Sequence, residues 1–345
     1  MAGQASASSF DDDFHDTQET IQPDFFDSDE GYAESTSTSY VSSIASSIRR
    51  GIEENGRLYP TYGVNASLLP MDEDELDRND LQHCKFRLIL NDKLHLAPIT
   101  KSPQSILDLG TGTGIWAIDA ADQYPTASVI GCDIAAVQPQ WMPPNCTFEI
   151  EDVENEWLWK KDHFDFIHGR EFLLAIRDWP KLIRQAFEHL KPGTGYLELS
   201  CSYPLVHSDD GTLPPDSAYA EIPKLFFEIG EATGASGDAP RFYRSRMEAA
   251  GFVEVVESVF KVPSSPWPRN KRMKQIGALE LANFDRGMEA FTLRGHTSML
   301  NRSPAELAVI MANARKESRD PRIHSYLFFY CVYGRRPATQ GESVK

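Results

Sequence analysis

An apolar strand that runs into three glycines and then a helix decides the fold: ILDLGTGTGIWA, residues 106–117. The glycines are Gly110, Gly112 and Gly114, and an acidic residue, Asp108, stands two positions before the first. Glycines at such a turn let the backbone approach a ligand and leave the first amides of the helix free to face it. The stretch predicts a ligand-binding turn, with a purely structural turn as the alternative.

The spacing in this turn indicates which ligand it binds. A dinucleotide-binding turn has the pattern G-x-G-x-x-G, whereas here the third glycine comes one residue early. The carboxylate of Asp108 suits a cationic ligand, such as the amino group of S-adenosylmethionine, better than a pyrophosphate. We therefore expect S-adenosylmethionine at this turn, with Thr111 among its contacts, and disfavour a nicotinamide cofactor.

Further acidic residues follow the next two strands. Asp133 ends an apolar run and lies 19 residues after Gly114, where a carboxylate can accept hydrogen bonds from both hydroxyls of a ribose. After the third strand, Asp152 is predicted to accept from the adenine amino group and Val153 to offer its backbone N–H to the ring. The alternative for Asp133 is an ordinary strand-end Asp, and the alternative for Asp152 and Val153 is a solvated acidic turn.

Outward from the turn, short apolar runs alternate with helical stretches. The runs are residues 106–109, 129–133, 148–150, 164–168 and 196–199, and the helical stretches between them include 115–123 and 182–190. Such alternation is typical of βαβ units on a parallel sheet. The sequence therefore predicts an α/β fold.

Helical segments are predicted at both ends of this region. Apolar residues at Leu76, Leu81, Cys84 and Leu88 predict an amphipathic helix before the sheet. Two later strand candidates, 252–262 and 325–333, enclose a helical segment that contains SPAE at 303–306, which predicts a capping box.

Composition limits the class of protein. The 345 residues are 41% hydrophobic, enough for a buried core, and the net charge is −17. Residues 1–48 hold ten of the acidic residues and no Lys or Arg, so the rest of the chain carries only −7. That balance disfavours nucleic-acid binding. Five cysteines without a C-x-x-C predict reduced, mostly buried thiols, with neither a disulfide framework nor a metal site.

The chain divides into an arm and a domain. Residues 1–50 are acidic and rich in Ser and Thr, which predicts a disordered arm. An arm that binds protein partners and a solvated tail without a specific role are the two alternatives. Residues 51–345 form the predicted domain. With neither a membrane-spanning run nor a secretory signal in the sequence, we expect the protein in the cytoplasm, the nucleus or both.

The glycine turn with Asp133 resembles the first two motifs of class I S-adenosylmethionine-dependent methyltransferases. Residues 53–336 are further similar to the fungal LaeA-like methyltransferase family. The segments that carry this similarity are ENGR at 54–57, LP at 69–70, DLQH at 80–83, DFIH at 165–168, DWP at 178–180, LKPG at 190–193, RIHSY at 322–326 and YGR at 333–335. The chain departs from the family in reading GTGY at 193–196, where Gly-Gly-Trp is common.

The resemblance implies a Rossmann-like, mostly parallel seven-stranded sheet of order 3-2-1-4-5-7-6. It also implies a connection to fungal secondary metabolism. The leading hypothesis is a methyltransferase that acts on a small secondary metabolite. The alternative is a nuclear regulator of secondary-metabolite gene clusters that works through protein partners.

Candidates for the remaining roles are weaker. His168, beside Arg170, and His207, which follows the predicted fifth strand, are candidate general bases, and a hydrogen-bonded structural role is the alternative for each. Arg170 is also a candidate cofactor contact. In the resembled fold an N-terminal segment closes over the cofactor, which makes Tyr62 a candidate contact for the sulfonium.

The late helical segment is the candidate lid over an apolar acceptor. It covers residues 263–322 and carries the aromatic and apolar side chains of Trp267, Phe284, Phe291 and Met299. Core aromatics at helical spacing are the alternative.

Overall fold

The glycine turn follows an inner strand of a seven-stranded sheet. The computed structural model describes residues 50–63 and 67–339. Their strands are β1 (Ile52–Glu54), β2 (Arg57–Tyr59), β3 (Ser105–Leu109), β4 (Ser128–Asp133), β5 (Cys146–Ile150), β6 (Phe166–Arg170), β7 (Tyr196–Ser208), β8 (Val253–Pro263) and β9 (Ser325–Arg335). Their α-helices are α1 (Glu73–Ile89), α2 (Ile115–Gln123), α3 (Trp179–His189), α4 (Ala218–Thr233), α5 (Tyr243–Ala250), α6 (Lys271–Arg294) and α7 (Pro304–Ser318). The predicted arm, apart from Arg50, lies outside the described residues.

The strands of the large sheet have the order β5-β4-β3-β6-β7-β9-β8. Strands β3 to β7 pair in parallel, and β9 runs antiparallel between β7 and β8. Parallel strands covered on both faces are continuous apolar runs, and every residue of β3 is buried. Counted from β3, this is the 3-2-1-4-5-7-6 order, which confirms the predicted Rossmann-like methyltransferase fold.

The register places three chain segments at one edge of the sheet. Leu109, the last residue of β3, lies opposite Cys132 of β4 and Gly169 of β6. The glycine turn, Asp133 and Arg170 therefore share the carboxyl edge, because each follows directly on these positions. In open α/β sheets ligands bind at this edge, where the strand order reverses.

Helix α1 confirms the predicted helix but contradicts its predicted buried face. Asp72 caps it by accepting the N–H of Glu75, yet Cys84 is exposed, while Arg78 and Lys85 are buried. The buried face packs on α6 through polar pairs as well as apolar contacts, since Phe86 and Ile89 share an apolar cluster with Ile276 of α6. Apolar spacing was misleading here because Lys85 pairs with Glu280 of α6 and Arg78 pairs with Glu75 of the same helix.

The segment between β8 and β9 is helical, as predicted. It contains α6, a π-helical turn at Gly295–Met299 and α7, whose N-terminus has the predicted capping box between Ser303 and Glu306. Helix α4, which the sequence analysis did not predict, packs on α6 and α7. The helices share an apolar core separate from that of the sheet, with buried Ile229, Met288, Leu293, Leu307 and Met311 among its members.

Glu198 is a fully buried carboxylate on β7. Its Oε2 accepts the backbone N–H groups of Leu96 (2.8 Å) and Ala97 (2.6 Å), which holds the loop before β3 against the sheet. Burial raises the pKa of Glu198 to about 7, although these N–H donors favour its charged form.

Replacement of Glu198 with Gln is expected to change how stability depends on pH. The pKa rises from an ordinary 4.5 to about 7 on folding, so the folded state binds more protons between these values. The free energy of unfolding therefore falls as pH rises through this window, by up to about 1.4 kcal/mol per pH unit, and levels off above it. Urea unfolding at several pH values checks whether this decrease in the free energy of unfolding is absent in Glu198→Gln.

The comparison with wild type is necessary because another buried group, His95, makes the free energy of unfolding change with pH in the opposite direction. Burial lowers the pKa of His95 to about 4, so its contribution to the free energy of unfolding rises with pH up to its ordinary value of 6.5. His95 is present in both proteins, and the difference between the two curves isolates Glu198. Parallel curves would contradict the prediction.

Candidate active site

The glycine turn presents backbone toward open space at the sheet edge. Gly112 has a φ of +56°, and a Cβ built on it meets no atom within 4 Å. Gly114 has a φ of +82°, and its Cβ would stand 2.4 Å from Cζ of Phe148. The turn is therefore closed on the protein side at Gly114 and open to a ligand at Gly112.

Asp133 ties the end of β4 to this turn. Its Oδ2 accepts the N–H of Gly112 (2.8 Å) and its Oδ1 accepts that of Ala135 (2.9 Å). Burial raises the pKa of Asp133, while the N–H donors favour its charged form. Two backbone bonds leave lone pairs on both oxygens, since a carboxylate has about four acceptor sites. The geometry is compatible with the predicted ribose contact.

Asp108 uses both oxygens within the protein. Oδ1 lies 2.7 Å from Nδ1 of His168, and Oδ2 accepts a 2.6 Å hydrogen bond from Thr111 Oγ1. The His168 ring stacks on Trp116 at 3.8 Å between centroids, and burial lowers the pKa of His168. These contacts are those of the structural alternative for His168, because both a ring nitrogen and a ring face have protein partners.

Two adjoining cavities lie along this edge. The first has a volume of about 220 Å³ and is lined by Asp133, Asp152 and Val153, among others. The second has a volume of about 60 Å³ and is lined by Asp108, Thr111 and His168, among others. The residues that line both are Asn79, Gln82, Gly110, Gly112, Arg170 and Glu171. The two cavities thus share part of their lining, and together they are lined by most of the predicted cofactor residues.

Arg170 is held by α1. Its Nη2 donates to Nδ1 of His83 at 3.0 Å, and its guanidinium lies 4.7 Å from the ring centroid of Phe86. Asp152 follows β5, where its Oδ1 accepts the N–H of Glu154 at 2.9 Å. The structure thus brings both Arg170 and Asp152 to the lining of the larger cavity.

Tyr62 and His207 stand outside the two linings. Tyr62 is half-buried, and burial together with the nearby charges of Glu151 and Asp152 raises its pKa. The prediction that His207 follows the fifth strand is wrong, because β7 continues to Ser208. Ser200 pairs with Arg170 at the site, so His207, seven residues farther along, lies roughly 23 Å beyond it. Its ring instead contacts Tyr326 and Phe328.

Of the aromatic side chains predicted for the lid, Phe291 lines the larger cavity. Phe284 packs edge-on against Tyr219 at 4.5 Å between centroids, and Trp267 Nε1 donates to the carbonyl of Ser325. These two are structural contacts, as the alternative reading expects.

Sequence reasoning missed Glu171, which directly follows Arg170 and lines both cavities. It also missed the wall contributed by α1, where Glu75, Arg78 and Gln82 face the larger cavity. The signal for Glu171 was available, because an acid directly after a strand beside the glycine strand obeys the same rule as Asp133. The α1 residues gave no such signal.

Two features that the described part of the chain lacks bear on the class of site. Across residues 50–63 and 67–339, no group of three or more His, Cys, Asp and Glu is arranged to hold a metal ion. Within the same residues, no helix is long and apolar enough to cross a membrane.

Comparison with known proteins identifies the family. Residues 81–257 match a family model described as a methyltransferase domain. The methyltransferase pytC of Aspergillus terreus is 39% identical over 300 residues, covering 87% of this chain and 92% of its own. The chain belongs to the LaeA-like methyltransferase family. The secondary metabolism regulator LAE1 of Cochliobolus heterostrophus is 36% identical, covering 82% and 94% of the two chains. The regulator laeA of Aspergillus flavus is 30% identical, covering 88% and 82%.

Membership confirms the resemblance and makes this chain a methyltransferase by family. Residues 81–257 include the glycine turn, Asp133, Asp152 and Arg170. The part of the chain that the family model matches therefore contributes the carboxyl-edge residues of both cavities, while Pro60, several residues of 67–79 and Phe291 line the larger one from outside it.

Alanine substitutions of Gly112 and Gly114 are expected to differ in cost. Both place a side chain at positive φ, which costs about 1–2 kcal/mol, but only Gly114→Ala must also displace the Phe148 ring, for about 1–3 kcal/mol more. Urea denaturation of the two variants measures the difference in free energy of unfolding. Equal losses would contradict the assignment of Gly114 to the closed side of the turn.

Proposed function

We propose that this methyltransferase transfers a methyl group from S-adenosylmethionine to a small, largely apolar metabolite. The observation that carries the proposal is the placement of the open Gly112 backbone and the Asp133 carboxylate at the carboxyl edge, beside a cavity with an apolar wall. The family match and the relatives named as methyltransferases support the reaction class.

The residues of the edge fit this cofactor. Asp133 would receive the ribose hydroxyls, and Asp152 with the backbone of Val153 would face the adenine. The open turn at Gly112 admits the ligand without a steric conflict. When bound, the cofactor supplies a methyl group on a positively charged sulfur. An edge that carries several carboxylates favours such a cation.

At the other end of the ligand, Asp108 contributes through position and charge. Its two oxygens already bond to His168 and Thr111, so we propose that it attracts the amino group from this fixed position. Arg170 lines the same region and is proposed as a cofactor contact. Tyr62, near Asp152, is proposed to cover the adenosine end.

The acceptor is proposed to occupy the larger cavity. Its apolar wall consists of Leu68, Met71, Leu174, Phe226 and Phe291, which come from the N-terminal segment, the loop after β6, α4 and α6. We propose that the helical insertion at residues 263–322 is a lid, on the basis of Phe291 alone among its predicted aromatics. Holding the acceptor in line in a water-poor cavity accounts for much of the rate in such a displacement.

A second candidate function is regulation of secondary-metabolite genes. Relatives named as secondary metabolism regulators are 30–36% identical to this chain, and the acidic residues 1–50 are a candidate segment for binding proteins. A regulator would act in the nucleus, whereas a pathway enzyme would act in the cytoplasm. Both proposals retain the same cofactor site.

Replacement of Asp133 with Ala is expected to weaken cofactor binding. Loss of hydrogen bonds to a charged acceptor costs about 1.5–3 kcal/mol, or roughly 10- to 150-fold in Kd. Isothermal titration with S-adenosylmethionine and with S-adenosylhomocysteine measures this loss, and both ligands should lose equally because they share the ribose.

The matched control for Asp133 is Glu151→Gln, which neutralises another acid of the same cavity and should leave Kd within about threefold. Because Asp133→Ala removes two hydrogen bonds from the turn, urea unfolding is used to verify that the variant retains the fold. Unchanged affinity in a folded Asp133→Ala variant would remove Asp133 from the ribose site. Binding of NADH by wild type would favour an oxidoreductase instead.

Deletion of the gene in its host separates the two functions. A pathway enzyme predicts that one compound class loses a single methyl group while transcripts of biosynthetic clusters stay level. A regulator predicts that transcripts of many clusters change together. Metabolite profiling with transcript counting measures both, and a strain that lacks only residues 1–50 serves as the control: it should behave as wild type for an enzyme and as the full deletion for an arm-dependent regulator.

A further inference from the structure

Glu171 stands where the two cavities meet. It is the one carboxylate among the six residues that line both. The residues proposed for ribose and adenine line the larger cavity, and those proposed for the amino group line the smaller one. A cofactor that spans the two has its sulfur between the adenosine and the amino-acid end, at the boundary that Glu171 shares.

The backbone of Glu171 is held in an unusual conformation. Its φ is +58°, in the left-handed region that disfavours residues other than glycine. Such a conformation persists only where surrounding contacts impose it, and it is common at functional sites. Here the N–H of Glu171 donates to Ser200 O at 2.9 Å. At this positive φ the backbone leaves the extended conformation of β6 directly after Arg170.

The side chain of Glu171 is held but keeps acceptor capacity. Oε1 accepts the N–H of Ser202 at 2.6 Å, and Oε2 accepts Nε2 of Gln82 at 3.3 Å. Each oxygen then has a further lone pair, since an ionised carboxylate has about four acceptor sites. The residue is half-buried, and it lines the cavities with the exposed part of its surface.

Charged groups on three elements surround this carboxylate. Lys85 of α1 and Arg170 of β6 favour its ionised form, and Glu280 of α6 opposes it; Cys201 and Tyr243 are the further titratable groups beside it. Burial has the largest effect and raises the pKa of Glu171. A carboxylate in such surroundings accepts a proton more readily than an exposed one.

We propose that Glu171 is a catalytic residue that faces the transferring methyl group and takes the proton from a hydroxyl-bearing acceptor, an inference that rests on the function proposed above. The acceptor O–H bond breaks and its proton moves to a Glu171 carboxylate oxygen. In the same step the acceptor oxygen bonds to the methyl carbon, and the carbon–sulfur bond breaks with its electron pair left on sulfur. Glu171 returns the proton to water after the products leave.

The surroundings define the acceptor class. The larger cavity that Glu171 lines also has an apolar wall, with Leu68, Met71, Leu174 and Phe291 among its members. A flat or compact apolar molecule with one acidic hydroxyl, such as a phenol or an enol, places its body on this wall and its O–H toward the carboxylate.

The location of Glu171 can be tested without knowledge of the natural acceptor. S-adenosylmethionine and S-adenosylhomocysteine differ by the methyl group and the positive charge on sulfur. A carboxylate that faces the sulfur therefore favours the first ligand. We expect the Kd for S-adenosylhomocysteine divided by the Kd for S-adenosylmethionine, measured by isothermal titration at about pH 8, to fall roughly tenfold in Glu171→Gln.

Glu151→Gln is again the control, because Glu151 lines only the larger cavity, and its ratio should match wild type. Glu171→Asn is the second neutral variant, since Asn adopts positive φ more easily than Gln and keeps the test valid if Glu171→Gln does not fold. If a folded variant has an unchanged ratio, or loses affinity for both ligands equally, the assignment of Glu171 is overturned. The function proposed above is not affected by that result. Failure of wild type to bind either ligand would instead overturn the proposed function.

The proton transfer is tested with two acceptors of the same shape, 2-naphthol and 2-naphthalenethiol. A thiol ionises at lower pH than the corresponding hydroxyl and depends less on a base. We expect Glu171→Gln to reduce kcat for the naphthol by about 10²- to 10⁴-fold and kcat for the thiol by less than tenfold. Equal losses would contradict the base role, and turnover of neither probe by a wild type that binds the cofactor would contradict the acceptor class.

Discussion

The site depends on the hydrogen bonds that the Asp133 carboxylate accepts from the backbone N–H groups of Gly112 and Ala135. They connect the end of β4 to the turn after β3 and compensate a carboxylate that burial would otherwise disfavour. Because Gly112 must present its N–H toward Asp133, the turn runs through positive φ. The same geometry leaves an open face above Gly112, so one interaction both stabilises the turn and shapes the cavity.

A second constraint comes from charged groups buried between α1 and α6. Lys85 Nζ lies 2.6 Å from Glu280 Oε2, and Arg78 pairs with Glu75 at 2.6 Å while donating to Asn283. Buried pairs of this kind contribute little net stability compared with apolar packing, but the loss of one partner is costly. The network therefore specifies how α1 docks on the helical insertion, and through Gln82 it continues to Glu171.

Much of the sheet and of its carboxyl edge could be predicted from the sequence, because both follow from local rules. Apolar runs that alternate with helices imply parallel strands, and glycines with an acid at the next strand end imply a ligand at the reversal of strand order. The rest depends on tertiary partners. The buried face of α1 was mispredicted since Lys85 pairs with Glu280 of α6 and Arg78 with Glu75 of its own helix. The end of β7 was mispredicted because pairing with β9 extends the strand to Ser208. No local signal marks such partners.

The carboxylates of Asp108, Asp133 and Glu171 lie at one edge of the sheet but have different hydrogen-bond partners. Asp108 is buried with His168 on one oxygen and Thr111 on the other, which fixes the position of its carboxylate. Asp133 is held by backbone donors and keeps lone pairs for hydroxyl groups. Glu171 has one backbone donor and one long contact from Gln82.

Among the three, Glu171 is the carboxylate that lines both cavities, and the contact of Gln82 with one of its oxygens is long at 3.3 Å. A carboxylate with a short bond on each oxygen, such as that of Asp108, is held in one position and can attract a cation from there. A carboxylate with one short bond can gain a proton and keep that bond, provided that the proton binds the other oxygen. On these grounds we propose that Glu171 carries out proton transfer at this edge and that Asp108 and Asp133 hold the cationic cofactor.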